Sequence, residues 1–456
     1  MHVGPALLAR VKPARAANSD TASYVMSGHS MAVADRGLIG SACAVTALFV
    51  LIAWSYDSQV AVVYAYEGYL SRAPDPAWVL VNLVLALTPL LWLPMRPQRA
   101  SSVTLWVLYL FTLVPICAVA SLVPTRSQAT STLLCAWSVA FFFLASLGQR
   151  VRPASVIPSP LNGSRGRTWF AVGAAVLAVG LFARFGIPTQ LISLSGAYVQ
   201  RLEFRQQLAG AHPAFGYLVT WSQTVVAPLM LVSGIARRRP AWLVGGCGLF
   251  AWGFLINGSR QALAATPFAV MLYVAGTRKV RGQTYAIGAT ALLGASAGGY
   301  SATGNAYALG PVAERLFAVP GVLSSYYYDY FLERPPVLLR DGTFSFASVS
   351  PYPDQMTYLI GREYLGRAEA NANVNLIADS FANFWLAGLV AGVVLAAVLW
   401  VLDSVTVELP LGPIAASLCL ILLAMSNVGL TVTLLTSGLG LMIVLLWLFG
   451  HAILVR

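Results

Sequence analysis

The chain has 456 residues, 58% hydrophobic and only 10% charged, with a mean hydropathy of +0.73. A soluble domain carries about 25% charged residues, so this composition excludes a water-soluble globular protein and predicts an all-α polytopic integral membrane protein. The net charge of +12 does not point to nucleic acid, because the arginines cluster between hydrophobic runs, the pattern left by the positive-inside rule.

Residues 1–36 are rich in Gly, Ala and Ser, carry Arg10, Lys12, Arg15 and Arg36, and lack the apolar centre of a signal peptide. They read as a disordered cytoplasmic tail. Residues 37–456 read as a single transmembrane domain of about twelve helices. The expected spans are 38–56, 77–95, 102–123, 131–149, 168–185, 215–235, 241–257, 261–277, 283–300, 382–402, 411–427 and 430–450. The short connections at Arg96/Arg99, Arg150–Arg167, Arg237–Arg239 and Arg278–Arg281 are basic. Simple alternation puts all of them on the cytoplasmic side, with both termini. No ten-residue alternation of a membrane barrel is present. The five cysteines all lie in apolar runs and read as small packing residues.

Residues 241–277 are the exception to easy counting. As one helix they would extend ~55 Å, nearly twice the roughly 30 Å hydrocarbon core. Both flanks are basic, so the run must turn back. Asn257-Gly258-Ser259 is its only good turn signal, which predicts a tight hairpin with Arg260 at the extracytoplasmic face. Arg260 is then either an interfacial anchor or an anion-binding arginine beside the opening amides of the next helix.

Two extracytoplasmic connections are longer, at about 187–213 and 301–381. In the first, "AYVQRLEFRQQLAGAHP" sets Arg201 and Arg205 four apart on one helical face. Two such cations repel unless an anion lies between them, although a solvated amphipathic helix explains the spacing as well. His212 can move a proton near neutral pH. The second connection holds half of the sixteen acidic residues and is too long for a mere link. Its "SSYYYDYFLERPPVLLRDG" predicts a glycan-binding patch of Tyr327, Asp329, Tyr330 and Arg340, or else an interfacial aromatic belt. Farther on come Arg362, Glu363 and Asp379, with Asn371, Asn373 and Asn375 alternating as in an extended segment. Phosphate-loop and dinucleotide motifs are absent, and His, Cys, Asp and Glu nowhere reach metal-ligand spacing. Neither a metal nor another cofactor is expected.

"NGSRQALA", "YVQRLEFRQQL" and "NLIADSFANFWLAGLVAG" resemble, in that setting, segments of the bacterial oligosaccharide repeat-unit polymerases, the Wzy-type O-antigen and exopolysaccharide polymerases. The likeness covers roughly residues 170–402. The O-antigen ligases share the architecture, but they typically present a histidine in the large outer loop, and residues 301–381 contain none. The resemblance implies a metal-independent glycosyltransferase of the bacterial inner membrane, acting on undecaprenyl-diphosphate-linked glycans amid membrane lipid. It also leaves room for a chain-length regulator as partner. It implies that Arg201, Arg205 and Arg260 stabilise the leaving diphosphate, with Glu363, Asp379 or His212 as the base. A ligase-like transferase and a flippase for lipid-linked sugars remain as alternatives.

Overall fold

The computed structural model describes residues 28–154, 159–188, 196–341 and 349–455, without the side chains of residues 28–36, 197, 198, 260 and 263. The described residues are helical with no strand. Among the described residues, eight helices are long and apolar enough to cross a membrane: Gly37–Val63, Ala100–Val119, Gln128–Arg150, Gly163–Phe185, Ala214–Arg237, Pro240–Asn257, Leu376–Thr406 and Leu430–Leu454. Their outer faces stay apolar. On the Gly163–Phe185 helix, Val172, Val176 and Val179 are all exposed, a surface that suits lipid and not water.

The other four expected spans are helical but weaker. Pro76–Leu91 and Ala264–Thr277 are shorter apolar stretches. Gly282–Thr303 is long but rich in Gly, Ala and Thr. Residues 411–427 break into Leu411–Ser417 and Cys419–Met425. At the start of the chain, the first helix opens at Gly28, inside the segment expected to be a disordered tail; residues 1–27 lie outside those described.

Residues 301–381 depart most from expectation. A π-helical stretch, Gly310–Ala318, runs directly into the Val319–Phe331 helix, and Met356–Leu365 and Leu376–Phe384 follow. Most of Val319–Phe331 is buried in the main core. Three π-helical stretches end two residues before a proline: Tyr109–Leu113 before Pro115, Ser222–Val226 before Pro228, and Gly310–Ala318 before Pro320. Proline removes an amide and clashes with the preceding turn, and a wider turn relieves both.

The Ala100–Val119 helix is the hub, buried along its whole apolar length, as expected of a helix apolar on every side. Asp403 accepts from the Ser101 amide (2.9 Å) and hydroxyl (2.6 Å), tying the start of that helix to the end of Leu389–Thr406. The same end of the bundle gathers the basic connections. The Gly282 amide donates to the Met95 carbonyl (2.8 Å), Arg99 to Gln149 and Val151, Trp400 to Arg152, and Arg237 to Ala452. Those connections carry twelve basic residues and no acidic one. The opposite end holds the long connections and most of the carboxylates.

Candidate functional site

At that opposite end the Pro240–Asn257 helix stops where expected. Gly258 caps it in the left-handed region (φ 61°), its amide donating to Phe254, while the Asn257 side chain accepts from the Ser259 amide (2.8 Å). Glycine is the residue that takes this conformation without strain. Arg260–Thr277 begins at once, so its first amides face outward at the turn. The Arg260 backbone opens that helix; its side chain lies outside those described.

The segment with Arg201 and Arg205 is helical from Ala197 to Ala209. Phe204 packs into a small separate cluster with Leu181, Val219, Trp252 and Ile256. Leu208 lies against the same cluster, which lays the helix along Pro240–Asn257. Gln200 donates to the Ile256 carbonyl (3.1 Å) and Arg201 to the Gly258 carbonyl (3.2 Å). Two segments separated by over fifty residues therefore meet at the Gly258 turn. Arg205, one turn along, is exposed.

His212, also exposed, accepts from the Ala214 amide through Nδ1 (3.3 Å). With Nδ1 so engaged, neutral His212 carries its proton on Nε2. In that tautomer Nε2 is a hydrogen-bond donor.

The aromatic patch is not an open platform. Tyr327 is fully buried, and its hydroxyl donates to the Ala372 carbonyl (2.9 Å). Tyr330 is 7% exposed and covered by the Arg334 guanidinium at 3.8 Å. The residues expected to stack on a sugar serve the core, because the helix that carries them is internal. Asp329 is largely enclosed by Arg126 (2.7 Å) and the Tyr364 hydroxyl. Arg126 also pairs with Glu333, whose carboxyl is held below the usual range by that hydrogen bond and charge. Burial, then the bond to Asp329, raises the Tyr364 phenol. Arg340 is half-buried on the chain that follows.

Arg362 pairs with Asp354 (2.7 Å) and more loosely with Glu363 (3.6 Å), leaving both partners about half exposed. Asp379 differs: at 9% exposed it lies under Gly429, where an added methyl would meet its carboxylate at 2.3 Å. Asp341 and Tyr327 are its electrostatic neighbours. Asn375 caps the Asp379 helix by accepting from the Ile377 and Ala378 amides, and donates to Ser324. The alternating asparagines are non-helical, as expected.

Arg126, Tyr364 and Glu314 went unrecognised in the sequence. Glu314, 3% exposed in the π-helical stretch, bonds Arg315 (2.9 Å) and faces the Tyr69 hydroxyl (3.5 Å). No group of three or more potential metal ligands occurs among the described residues.

The fold and site thus define an α-helical, membrane-embedded protein with an arginine-bearing helix docked on an interhelical turn. Comparisons with family models, curated proteins and solved structures find no match to the chain.

Proposed function

We propose that the protein is an oligosaccharide repeat-unit polymerase of the bacterial inner membrane. In this reading all twelve helices cross the bilayer, and the end whose four basic connections carry twelve basic residues faces the cytoplasm with both termini. The long connections then face outward, where lipid-linked glycans are joined.

The observation that carries the proposal is the bond from Arg201 to the Gly258 carbonyl. It sets a two-arginine helix against the opening of the Arg260–Thr277 helix, so guanidinium and helix amides converge on one spot. That convergence suits a diphosphate, which a planar guanidinium grips through paired bonds and a helix start attracts through its amides.

The reaction follows from this anion site. The bond between the donor sugar's anomeric carbon and undecaprenyl diphosphate breaks through an oxocarbenium-like transition state. A new bond forms to a hydroxyl of the lipid-linked acceptor unit. Arg201, Arg205 and Arg260 stabilise the departing diphosphate, with His212 Nε2–H as a further donor. The acceptor proton passes to a carboxylate, and Glu363 has the more accessible one, Asp379 being enclosed. Buried Tyr327 and Tyr330 hold the floor of the outer layer, whose half-buried Arg340 and exposed Arg362 remain for glycan contact.

Glycans extracted from cells lacking the protein test this reading. Single repeat units on undecaprenyl diphosphate should accumulate and long chains should vanish. Long chains that form but stay on the lipid would indicate a ligase, and units trapped on the cytoplasmic leaflet a flippase; either outcome overturns the proposal.

A further inference from the structure

The opposite, basic end of the bundle holds a cavity that the reaction does not use. Its volume is about 240 Å³, and Arg167, Arg237, Arg239, Ser233 and Trp242 are among its lining residues. One water needs only ~10–15 Å³, so the space admits a polyatomic group. Three helices supply the arginines: Arg167 from the first turns of Gly163–Phe185, Arg237 from the end of Ala227–Arg237, and Arg239 from the start of Pro240–Asn257.

Three guanidiniums around one space repel each other, and among the described residues no carboxylate pairs with any of them. Arg237 is anchored by donating to the Ala452 and Val455 carbonyls, neutral groups that fix its position. Ser233 also lines the cavity; it is 2% exposed, and its hydroxyl has no hydrogen-bond partner among the described residues. A buried hydroxyl left unpaired costs about 1–3 kcal/mol. Trp242 stacks on Phe170 with ring centroids 5.5 Å apart and planes 9° from parallel, giving one wall a rigid aromatic face.

We propose that this cavity binds a phosphate group, held by Arg167, Arg237 and Arg239 with the Ser233 hydroxyl as a fourth donor. In the proposed topology the lining falls at the level of the lipid headgroups, and it combines Trp and Arg as a membrane interface does. An anionic phospholipid presents its phosphate at that level. The site is independent of the glycan reaction and stands or falls separately from it.

The test uses the full chain in nanodiscs of neutral phosphatidylcholine, with phosphatidylglycerol added stepwise and thermal stability and native mass spectrometry as readouts. Saturable phosphatidylglycerol binding is expected, weakened at least tenfold in Arg167→Ala/Arg239→Ala and also reduced in Ser233→Ala. Arg237 is left intact because it anchors the last helix, and size-exclusion profiles verify that each variant stays folded. A parallel arm adds inorganic phosphate without anionic lipid. Protection by the lipid alone assigns a headgroup, and equal protection by inorganic phosphate assigns a free phosphate, with the same residues required in both cases. Binding of both ligands unchanged in the double variant, or no saturable binding of either, overturns the proposal.

Discussion

Replacing Arg201 separates a structural role from a chemical one, because the two differ in size. The guanidinium makes a part-buried 3.2 Å bond to a neutral carbonyl. At an exposed edge such a bond contributes about 1 kcal/mol, or roughly fivefold in an equilibrium. Binding a departing diphosphate is worth far more: losing one donor to a developing anion costs about 10²–10³ in rate. Arg201→Ala should therefore lower polymerisation at least a hundredfold while shifting thermal stability only slightly. Arg201→Lys sharpens the distinction, since lysine can still donate to the Gly258 carbonyl but lacks the planar fork. It should restore the docking of Ala197–Ala209 and leave activity low. Polymer length distribution, read beside the detergent-solubilised melting temperature, reports both. Full activity in Arg201→Lys, or a loss in Arg201→Ala no greater than about fivefold, would refute the diphosphate role.

Other expectations follow from separate parts of the molecule. Cysteine introduced at position 260 should react with an impermeant reagent in intact cells lacking the native cysteines, and one at 238 should not; the reverse pattern would invert the topology. Asp403→Ala strands the buried Ser101 amide and hydroxyl, so it should destabilise the protein by about 3 kcal/mol, with Asp403→Asn milder; an unchanged melting temperature would contradict the helix-start role. Because Arg126 holds Glu333 below the ordinary carboxylate range, their pairing is intact at neutral pH and is lost as acid protonates Glu333 in the folded protein. Proteolysis of the 301–381 region should therefore rise below about pH 4, and Glu333→Gln should remove that pH dependence; an identical profile in the variant would show that the pair does not matter.

Much of the helical framework is legible in the sequence because length and charge constrain it together. The turn at Asn257–Ser259 follows from a run too long for one crossing between two basic flanks. The helical run from Gly310 to Phe331 is harder to read, since Glu314, Arg315 and Asp329 interrupt its apolar pattern and suggest a surface loop. Burial reverses that reading: Asp329 is neutralised by Arg126, 203 residues away in sequence, and Glu314 by its neighbour Arg315. A lone arginine between apolar runs gives no local sign of such a partner. The pairing of Asp403 with Ser101, 302 residues apart, is hidden for the same reason. Arg201 and Arg205 could be recognised by spacing alone, but their docking on the Gly258 turn depends on Phe204 finding a pocket made by three other helices.

The central claim is that this chain joins lipid-linked repeat units through an arginine-lined diphosphate site. Purified protein in proteoliposomes, supplied only with undecaprenyl-diphosphate-linked repeat units, tests it most directly. A ladder of lengthened glycans should appear with free undecaprenyl diphosphate released in step, without added metal. Arg201→Ala and Arg205→Ala should each nearly abolish it, and the double variant should be little worse, because groups gripping one ligand act as a unit. No ladder from the intact protein, or mild losses that simply add in the double variant, would contradict the account.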